Sequence, residues 1–310
     1  MSTLYLDRRD VEIRDEGTAI ALYCAGVRQR SVPLKLLERV VIRNRVRLDS
    51  SVLGRLADAG VGVLVLSGRQ GRQLAMLLGA PHNDARIRLA QYALWHDPAR
   101  RLAWARRLLA GKISAQHRQL GRWLGARPDR RLPLARAENQ LEEAMERLTR
   151  AENLPALLGV EGSAAAAYFR GYSSVFAESW HFTGRNRRPP RDPVNAVLSL
   201  GYTLVHFDAV RAAHAAGLDP WIGFFHEPAF GRASLATDLV EPLRAHVDHW
   251  VWEQFRDRRF RPEHFRQDKG ACLLDKNGRA AFYAAYEVAA RPLRRLLRHL
   301  CRDMVRRLLP

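Results

Sequence analysis

The chain has 310 residues, of which 47% are hydrophobic and 27% are charged; this composition excludes an intrinsically disordered protein and allows two domains, each with its own core. Its 51 lysines and arginines outnumber the 32 aspartates and glutamates, which gives a formal net charge of +19. Such a charge predicts a polyanionic partner, and arginine suits phosphate because one guanidinium binds two oxygens. A GC-rich genome is the alternative explanation of the arginine excess.

The cysteines and the apolar segments predict a cytoplasmic protein. Cys24, Cys272 and Cys301 are far apart and form no CxxC motif, which fits a reducing compartment. The first residues lack the charged and then apolar pattern of a signal peptide. No apolar run approaches the roughly 18 residues that are needed to span a bilayer.

Residues 1–80 are predicted to form a β-rich domain. Short apolar or alternating runs, separated by turn residues, predict strands at 4–6, 11–14, 19–23, 40–42, 61–66 and 72–77. A short helix is expected between Asp49 and Gly60, because Asp49 or Ser50 suits its N-cap and the glycine suits its end. The cluster of Gly, Pro and Asn at 79–84 marks the expected domain boundary.

Residues 81–310 are predicted to form a larger, all-α catalytic domain, so that the fold class is α+β. Apolar residues at spacings of three and four predict helices at 85–96, 98–124 and 134–149, with a loop at 125–133. The arginine-dense segment 291–310 is expected to be a helix that either lies on DNA or is solvated.

The segment 157–169 combines the carboxylate of Glu161 with four consecutive alanines. Small side chains allow another helix to approach closely, and Glu161 is expected at the start of the helix that contains them. A carboxylate in the first turn is also explained by its favourable interaction with the helix dipole alone. The segment by itself therefore leaves both a chemical and a purely stabilising role open.

A second segment, 185–199, carries a cluster of arginines on a loop that two prolines stiffen. The cluster consists of Arg185, Arg187, Arg188 and Arg191. Asp192 and Pro193 predict an N-cap followed by proline in the first turn of a helix. Guanidinium groups on a pre-ordered loop suit a DNA backbone, because less entropy is lost on binding. A solvated surface loop is the alternative.

The segment from Gly223 to Arg244 gathers an imidazole and two carboxylates around one predicted turn. His226 precedes the turn, and Asp238 and Glu241 are three residues apart, so they share one face of the helix expected there. Imidazole and carboxylate groups with room for water suit magnesium or manganese. A metal site here would also need the distant Glu161 to be brought close.

The histidine and the two carboxylates of this segment also have simpler explanations than a metal site. His226 alone is explained by a buried, hydrogen-bonded histidine. Asp238 and Glu241 are explained by a solvated helix face with an ion pair to Arg232 or Arg244.

Four segments resemble the signature blocks of one family, in that family's order. They read LGVEGSAAAAYF, RRPPRDPVNAVLS, GFFH and SLATDLVEPLR. The family is the CRISPR-associated integrase and endonuclease, the first-numbered Cas protein of the adaptation module. The β-rich N-terminal third also resembles that family's dimerisation domain, so the resemblance covers essentially the whole chain.

The resemblance implies roles for individual residues. Glu161, His226 and Glu241 are implied as ligands of Mg²⁺ or Mn²⁺ and as catalytic residues. Asp238 matches a second acidic position of the same block, and it either tunes the site or takes part as a ligand. Tyr168 is implied to line the end of a DNA strand. Backbone contacts to DNA are implied for Arg232 and for the arginine cluster.

The resemblance also implies a reaction and partners. A metal activates the 3′-hydroxyl of a short captured duplex, which attacks the edge of a CRISPR repeat and adds a spacer; with water instead, the site cleaves DNA. The sequence contains no P-loop for ATP, and none is needed because transesterification conserves the bond energy. The implied partners are double-stranded DNA (protospacer and CRISPR repeat), a second copy of the chain in a homodimer, and the second Cas adaptation protein. A branched-DNA repair nuclease and a non-catalytic DNA-binding scaffold are the alternatives.

Overall fold

The computed structural model describes residues 2–67, 73–80, 82–186 and 189–309. The chain divides into two compact units, Met1–Asn83 and Asp84–Pro310. The first unit is rich in strands and the second is dominated by helices, so the predicted α+β class is confirmed. No helix in the described residues has the length and apolar character needed to cross a membrane.

The described part of the first unit contains eight strands in two four-stranded sheets. The strands are β1 (Ser2–Leu6), β2 (Val11–Asp15), β3 (Ala19–Cys24), β4 (Val27–Pro33), β5 (Leu37–Ile42), β6 (Val46–Leu48), β7 (Gly62–Leu66) and β8 (Gln73–Leu77). One sheet has the order β1-β5-β7-β8, in which only the β7–β8 pair is antiparallel. The other has the order β4-β3-β2-β6, with β2 and β6 parallel.

Side chains from both sheets and from helix α1 (Ser50–Asp58) form one hydrophobic core. Ile13 and Ile20 come from one sheet, Val40 and Val63 from the other, and Leu56 from α1. Strands β4 and β6 were not predicted. The exposed first half of β4 and the three-residue length of β6 leave no alternating pattern to detect. Arg72, the predicted start of the last strand, lies outside the described residues.

The second unit consists mainly of eight described helices. They are α2 (Ala85–His96), α3 (Pro98–Ala126), α4 (Arg131–Arg150), α5 (Leu154–Ser174), α6 (Pro193–Ala215), α7 (Ser234–Val240), α8 (Arg244–Arg256) and α9 (Lys276–Leu308). A 3₁₀ turn at Glu241–Leu243 joins α7 to α8. The long helix α3 packs against α4, α5, α8 and this turn.

Side-chain caps fix where five of these helices begin, and three of the five follow one pattern. Asp97, Asn153 and Asp192 each accept a hydrogen bond from a backbone N–H in the first turn of α3, α5 and α6, respectively. Each helix also has proline in its first turn, where its missing N–H leaves no hydrogen bond unmade. The predicted N-cap at Asp192 is thus confirmed.

Two expectations for the second unit are wrong in part. The predicted loop at 125–133 is shorter, because α3 continues to Ala126 and α4 already begins at Arg131. Pro133 lies in the first turn of α4, a position that tolerates proline. The unit is also not all-α, since β9 (Phe265–Asp268) and β10 (Ala271–Leu274) form an antiparallel hairpin. Its two turn residues, Lys269 and Gly270, both have positive φ, as such tight hairpins require.

Candidate active site

Four elements of the helical unit supply the side chains of the candidate site. Helix α3 provides Lys112, α5 provides Glu161, and the segment between α6 and α7 provides His226. Helix α7 and the 3₁₀ turn that follows it provide Asp238 and Glu241. These residues span about 130 positions of sequence, and the packing of α3 against α5 and the turn brings them together.

The sequence predicts Glu161 at the start of its helix, and this prediction is wrong. Helix α5 begins at Leu154, where the Asn153 side chain accepts a hydrogen bond of 2.9 Å from the Ala156 N–H. Glu161 is therefore two turns inside the helix, beyond the reach of a first-turn dipole effect. Its side chain is 24% exposed and contacts the Lys112 ammonium through Oε1.

Asp238 is completely buried and organises the backbone around His226. One carboxylate oxygen accepts hydrogen bonds from the N–H groups of Phe224 (2.7 Å) and Phe225 (3.0 Å). The other accepts from the His226 N–H at 3.0 Å and lies 2.7 Å from His226 Nδ1. Asp238 thus anchors the segment before α7 and fixes the imidazole ring, with Nε2 as the ring nitrogen left for another partner.

Gly223 allows this tight arrangement. A Cβ atom at that position would stand 2.7 Å from the carbonyl oxygen of His226 and 2.9 Å from Asp238 Oδ2. Both distances are shorter than real contacts of a Cβ atom. Any larger residue would therefore push the backbone away from the carboxylate that holds it.

Glu241 is buried between two cations. Its Oε1 accepts a hydrogen bond of 2.8 Å from Arg244 Nε, and its Oε2 lies 2.6 Å from the Lys112 ammonium. The contact with Lys112 is a close ion pair, and Oε2 is buried without an aligned hydrogen bond among the described residues. Lys112 therefore lies between Glu241 and Glu161 and contacts both.

The charges around Glu241 keep its carboxyl ionised. Burial acts to raise the pKa of the Glu241 carboxyl, but the charges of Arg244 and Lys112 and the nearby His226 outweigh burial and hold this pKa well below its usual value. Glu241 is therefore a carboxylate at any physiological pH. Burial acts against the charge of Arg244 too, yet the Glu241 carboxylate holds the pKa of the guanidinium above its usual value.

The donor groups fit a divalent metal. Within the part of the chain that the structure describes, no three His, Cys, Asp or Glu side chains are already grouped as metal ligands. Nevertheless, Glu161 and Glu241 converge on one cation, and no described residue makes an aligned hydrogen bond to Glu241 Oε2. Two carboxylates with an imidazole nitrogen, His226 Nε2, are ligands that magnesium and manganese accept.

Comparison with known proteins decides the family. The family model described as CRISPR associated protein Cas1 matches residues 4–288. A CRISPR-associated endonuclease Cas1 from Thermodesulfovibrio yellowstonii is 38% identical over 100% of this chain and 98% of its own length. The chain belongs to the Cas1 family. The resemblance read from the four sequence blocks is thereby confirmed, and with it the class of CRISPR adaptation integrase and endonuclease.

Solved structures share the fold of this Cas1-family chain. A CAS1 protein from Thermotoga maritima superposes with a TM-score of 0.88 at 21% identity, over 100% of this chain and 97% of that one. A casposase bound to integration product gives 0.83 at 20% identity, over 99% and 91% of the two chains. A chain of a Cas6-RT-Cas1–Cas2 complex gives 0.85 at 22% identity, over 99% of this chain and 35% of that one.

The arginines that are predicted to contact DNA differ in the exposure of their side chains. Arg191 is exposed, whereas Arg185 is partly buried and donates to Asn195 Oδ1 (2.7 Å) and Ser199 Oγ (3.1 Å). Arg232 donates to the carbonyl oxygen of Glu227 and to Ser234 Oγ, so its guanidinium braces the turn before α7. The other two members of the arginine cluster, Arg187 and Arg188, lie outside the described residues.

Tyr168 is not placed to line a DNA strand, which corrects the expectation for it. The side chain is fully buried, and its hydroxyl donates a hydrogen bond of 3.0 Å to Asp248 Oδ2. Tyr202 donates to Oδ1 of the same carboxylate, and the Tyr172 hydroxyl donates to the Asp248 carbonyl oxygen at 2.9 Å. Tyr168 therefore belongs to a buried tyrosine network that supports the helices around the site.

Sequence reasoning missed two residues of the site. Lys112 is in the middle of the amphipathic helix α3 and is not part of a sequence motif. It is, however, a lysine in a chain that uses arginine almost everywhere else. Arg244 was considered only as the partner of a solvated ion pair, yet its side chain is only 17% exposed and orients Glu241. The unusual choice of lysine was the available signal for Lys112.

Proposed function

We propose that this Cas1-family chain joins the 3′-hydroxyl ends of short captured duplex DNA to a CRISPR repeat by metal-dependent phosphoryl transfer. With water in place of the hydroxyl, the same site cleaves DNA. The observation that carries the proposal is the convergence of Glu161 and Glu241 on one cation, beside an imidazole that Asp238 holds in place.

Glu161, Glu241 and His226 Nε2 hold Mg²⁺ or Mn²⁺ in this proposal. When bound, the metal activates the attacking oxygen and offsets the negative charge that accumulates on the phosphate. Asp238 is a positioning residue, because both its oxygens are used by backbone N–H groups and His226 Nδ1. Because Nδ1 is engaged in this way, Nε2 is the ring nitrogen that would bind the metal.

Arg244 positions the second carboxylate. Its Nε holds Glu241 Oε1, which leaves Oε2 to face the cation position. Its guanidinium also lies 4.7 Å from the ring centroid of Tyr202, which ties Glu241 to the buried tyrosine network. A rigid support of this kind keeps the carboxylate in place while phosphate and hydroxyl are bound.

DNA is held mainly through its backbone in this proposal. The net charge of +19 and the exposed Arg191 support non-specific contacts to phosphate, which weaken steeply as salt rises. Arg187 and Arg188 are proposed to add to this surface. The substrates are the protospacer duplex and the CRISPR repeat.

The proposed assembly is a homodimer through the N-terminal β-rich unit that also binds the second Cas adaptation protein. The similarity to a chain of a Cas6-RT-Cas1–Cas2 complex supports the second partner. We place the protein in the cytoplasm, where DNA is found and where the free thiols of Cys24, Cys272 and Cys301 stay reduced.

Alanine variants of Glu161, His226 and Glu241 test the proposal. Each is incubated with a labelled short duplex, a plasmid carrying a repeat, the second Cas protein and Mn²⁺ or Mg²⁺. Each should lose strand transfer by a factor of at least about 100 while retaining DNA binding. Glu227→Ala is the matched control, because Glu227 is on the same segment as His226 and its side chain is 68% exposed.

Three outcomes would reject the proposal. Wild-type strand transfer in all three folded variants would reject the metal site. Efficient cutting of branched DNA without the partner and without preference for a repeat would favour a repair nuclease. DNA binding that is indifferent to chelator, with no strand transfer under any metal, would instead indicate a scaffold.

A further inference from the structure

The ammonium of Lys112 occupies the position between the two candidate metal-ligand carboxylates. Its side chain is 6% exposed; Nζ contacts Glu161 Oε1 and lies 2.6 Å from Glu241 Oε2. Only four of the 51 basic residues are lysines, so an ammonium at this buried position is a departure from the general composition. No step of the proposed reaction uses Lys112.

A buried cation lowers the stability of the folded state unless an anion pairs with it. Two neighbouring carboxylates also lower it unless a cation lies between them. Without Lys112, the carboxylate of Glu161, which is 24% exposed, and the buried carboxylate of Glu241 would repel each other. Arg244 neutralises only the Oε1 side of Glu241. The ammonium therefore supplies the charge that keeps both carboxylates directed at one point.

A divalent ion and the ammonium would compete for the same oxygens. An ion bound by Glu161 and Glu241 would stand within contact distance of both carboxylates, where Lys112 Nζ now lies. Lysine is suited to such an exchange, because its charge is a single point on a flexible stem and can withdraw. A guanidinium in a planar, two-oxygen contact would be harder to displace.

We propose that Lys112 is a positioning residue that serves as an internal counter-cation. It holds the two carboxylates together while no metal is bound, and the divalent ion displaces its ammonium on binding. This inference rests on the proposed metal site. It assigns Lys112 two opposite effects: it stabilises the metal-free protein, and it weakens the affinity for the metal.

Lys112→Met in the full chain separates these effects without any assay of catalysis. In EDTA the variant should melt roughly 5–10 °C below wild type, because an uncompensated buried charge remains. In a calorimetric titration without DNA, it should bind Mn²⁺ about tenfold more tightly than wild type, because competition is removed. Lys276→Met, at an exposed position, is the matched control for the loss of one positive charge and should change neither value.

Lys112→Gln serves as the second variant, since it keeps a hydrogen-bonding side chain and should fold if Lys112→Met does not; it should also bind Mn²⁺ more tightly than wild type. A double-mutant cycle with Glu161→Gln in EDTA should show coupling between the two residues. Mn²⁺ affinity that is unchanged or weaker in both folded Lys112 variants would overturn the inference. If the metal site itself is wrong, the result is different: Glu161→Gln and His226→Ala then bind Mn²⁺ with the same affinity as wild type.

Discussion

Asp238 Oδ1 lies 2.7 Å from Nδ1 of His226, and this carboxylate also accepts three backbone hydrogen bonds from residues 224–226. One fully buried side chain thus fixes both the ring and the backbone that carries it. The two residues are twelve positions apart, and the tight packing at Gly223 allows the segment to close on the carboxylate.

Asp238→Asn should disable the site although it preserves the size of the side chain. The amide would place an NH₂ group against backbone donors and would no longer hold Nδ1 as a carboxylate does. We expect Mn²⁺ affinity to fall by roughly 10–100-fold, with a matching loss of strand transfer. Calorimetry with Mn²⁺ measures the effect. Glu227→Gln is the control on the same segment, and an Asp238→Asn variant with wild-type affinity would show that His226 is not positioned in this way.

Tyr168→Phe should affect stability and leave DNA affinity unchanged. Loss of the hydroxyl leaves Asp248 Oδ2 without its 3.0 Å hydrogen bond in a buried site, so the free energy of unfolding should fall by about 1–3 kcal/mol. All seven tryptophans lie after residue 83, so urea denaturation followed by their fluorescence reports on the helical unit. A clear loss of DNA affinity in the folded variant would contradict this prediction and would show that Tyr168 contacts DNA.

Arg191 and Arg185 should behave differently although both belong to the same arginine cluster. Arg191→Ala removes an exposed charge, so DNA affinity should fall for every sequence and the salt dependence should weaken by about one unit of slope. Arg185→Ala removes hydrogen bonds to Asn195 and Ser199, so it should mainly lower the melting temperature. Fluorescence anisotropy over a range of salt concentrations tests the pair. Equal salt slopes for Arg191→Ala and wild type would contradict this assignment.

Asp248 should make stability depend on pH. Burial raises the pKa of its carboxyl to about 6, although hydrogen bonds from Tyr202 and Tyr168 oppose the shift. The folded state therefore binds the proton more tightly than the unfolded state, for which the usual value is 3.8. The contribution of Asp248 to stability is full below that value, falls as pH rises toward 6, and then stays constant.

Asp248→Asn removes this dependence. The difference in unfolding free energy between wild type and variant should change by about 2 kcal/mol between pH 4 and pH 7, in favour of the variant at the higher pH. Urea denaturation at both values measures it, with the exposed Asp58→Asn as control. A difference that is the same at both pH values would show that Asp248 has the same pKa in the folded and unfolded states.

The sequence allowed much of the fold to be predicted, because many elements carry local signals. Helix α2 was predicted with its observed bounds, and α6 was predicted to begin where Asp192 caps it. Strand β4 and the hairpin β9–β10 were missed for different reasons. The former is exposed over its first half, whereas the latter is specified mainly by a two-residue turn of positive φ.

The candidate site could be predicted only where its residues form motifs. Glu161, His226, Asp238 and Glu241 were identified from blocks of sequence, with Glu241 as a metal ligand, but the role of Asp238 was left open. Helical spacing puts these two carboxylates on one face, whereas the structure directs Asp238 to backbone N–H groups and Glu241 to Lys112. Contacts between distant elements, such as α3 with the turn after α7, leave no periodic pattern in either segment.

Anomalous scattering from Mn²⁺ in crystals of the full chain tests whether Glu161, Glu241 and His226 hold the metal. We expect one strong peak within ligation distance of Glu161, Glu241 Oε2 and His226 Nε2, with the Lys112 ammonium displaced from between the carboxylates. The peak should be absent from crystals of Glu161→Gln grown under the same conditions. A peak at another group of residues, or none at Mn²⁺ concentrations that support strand transfer, would contradict the account.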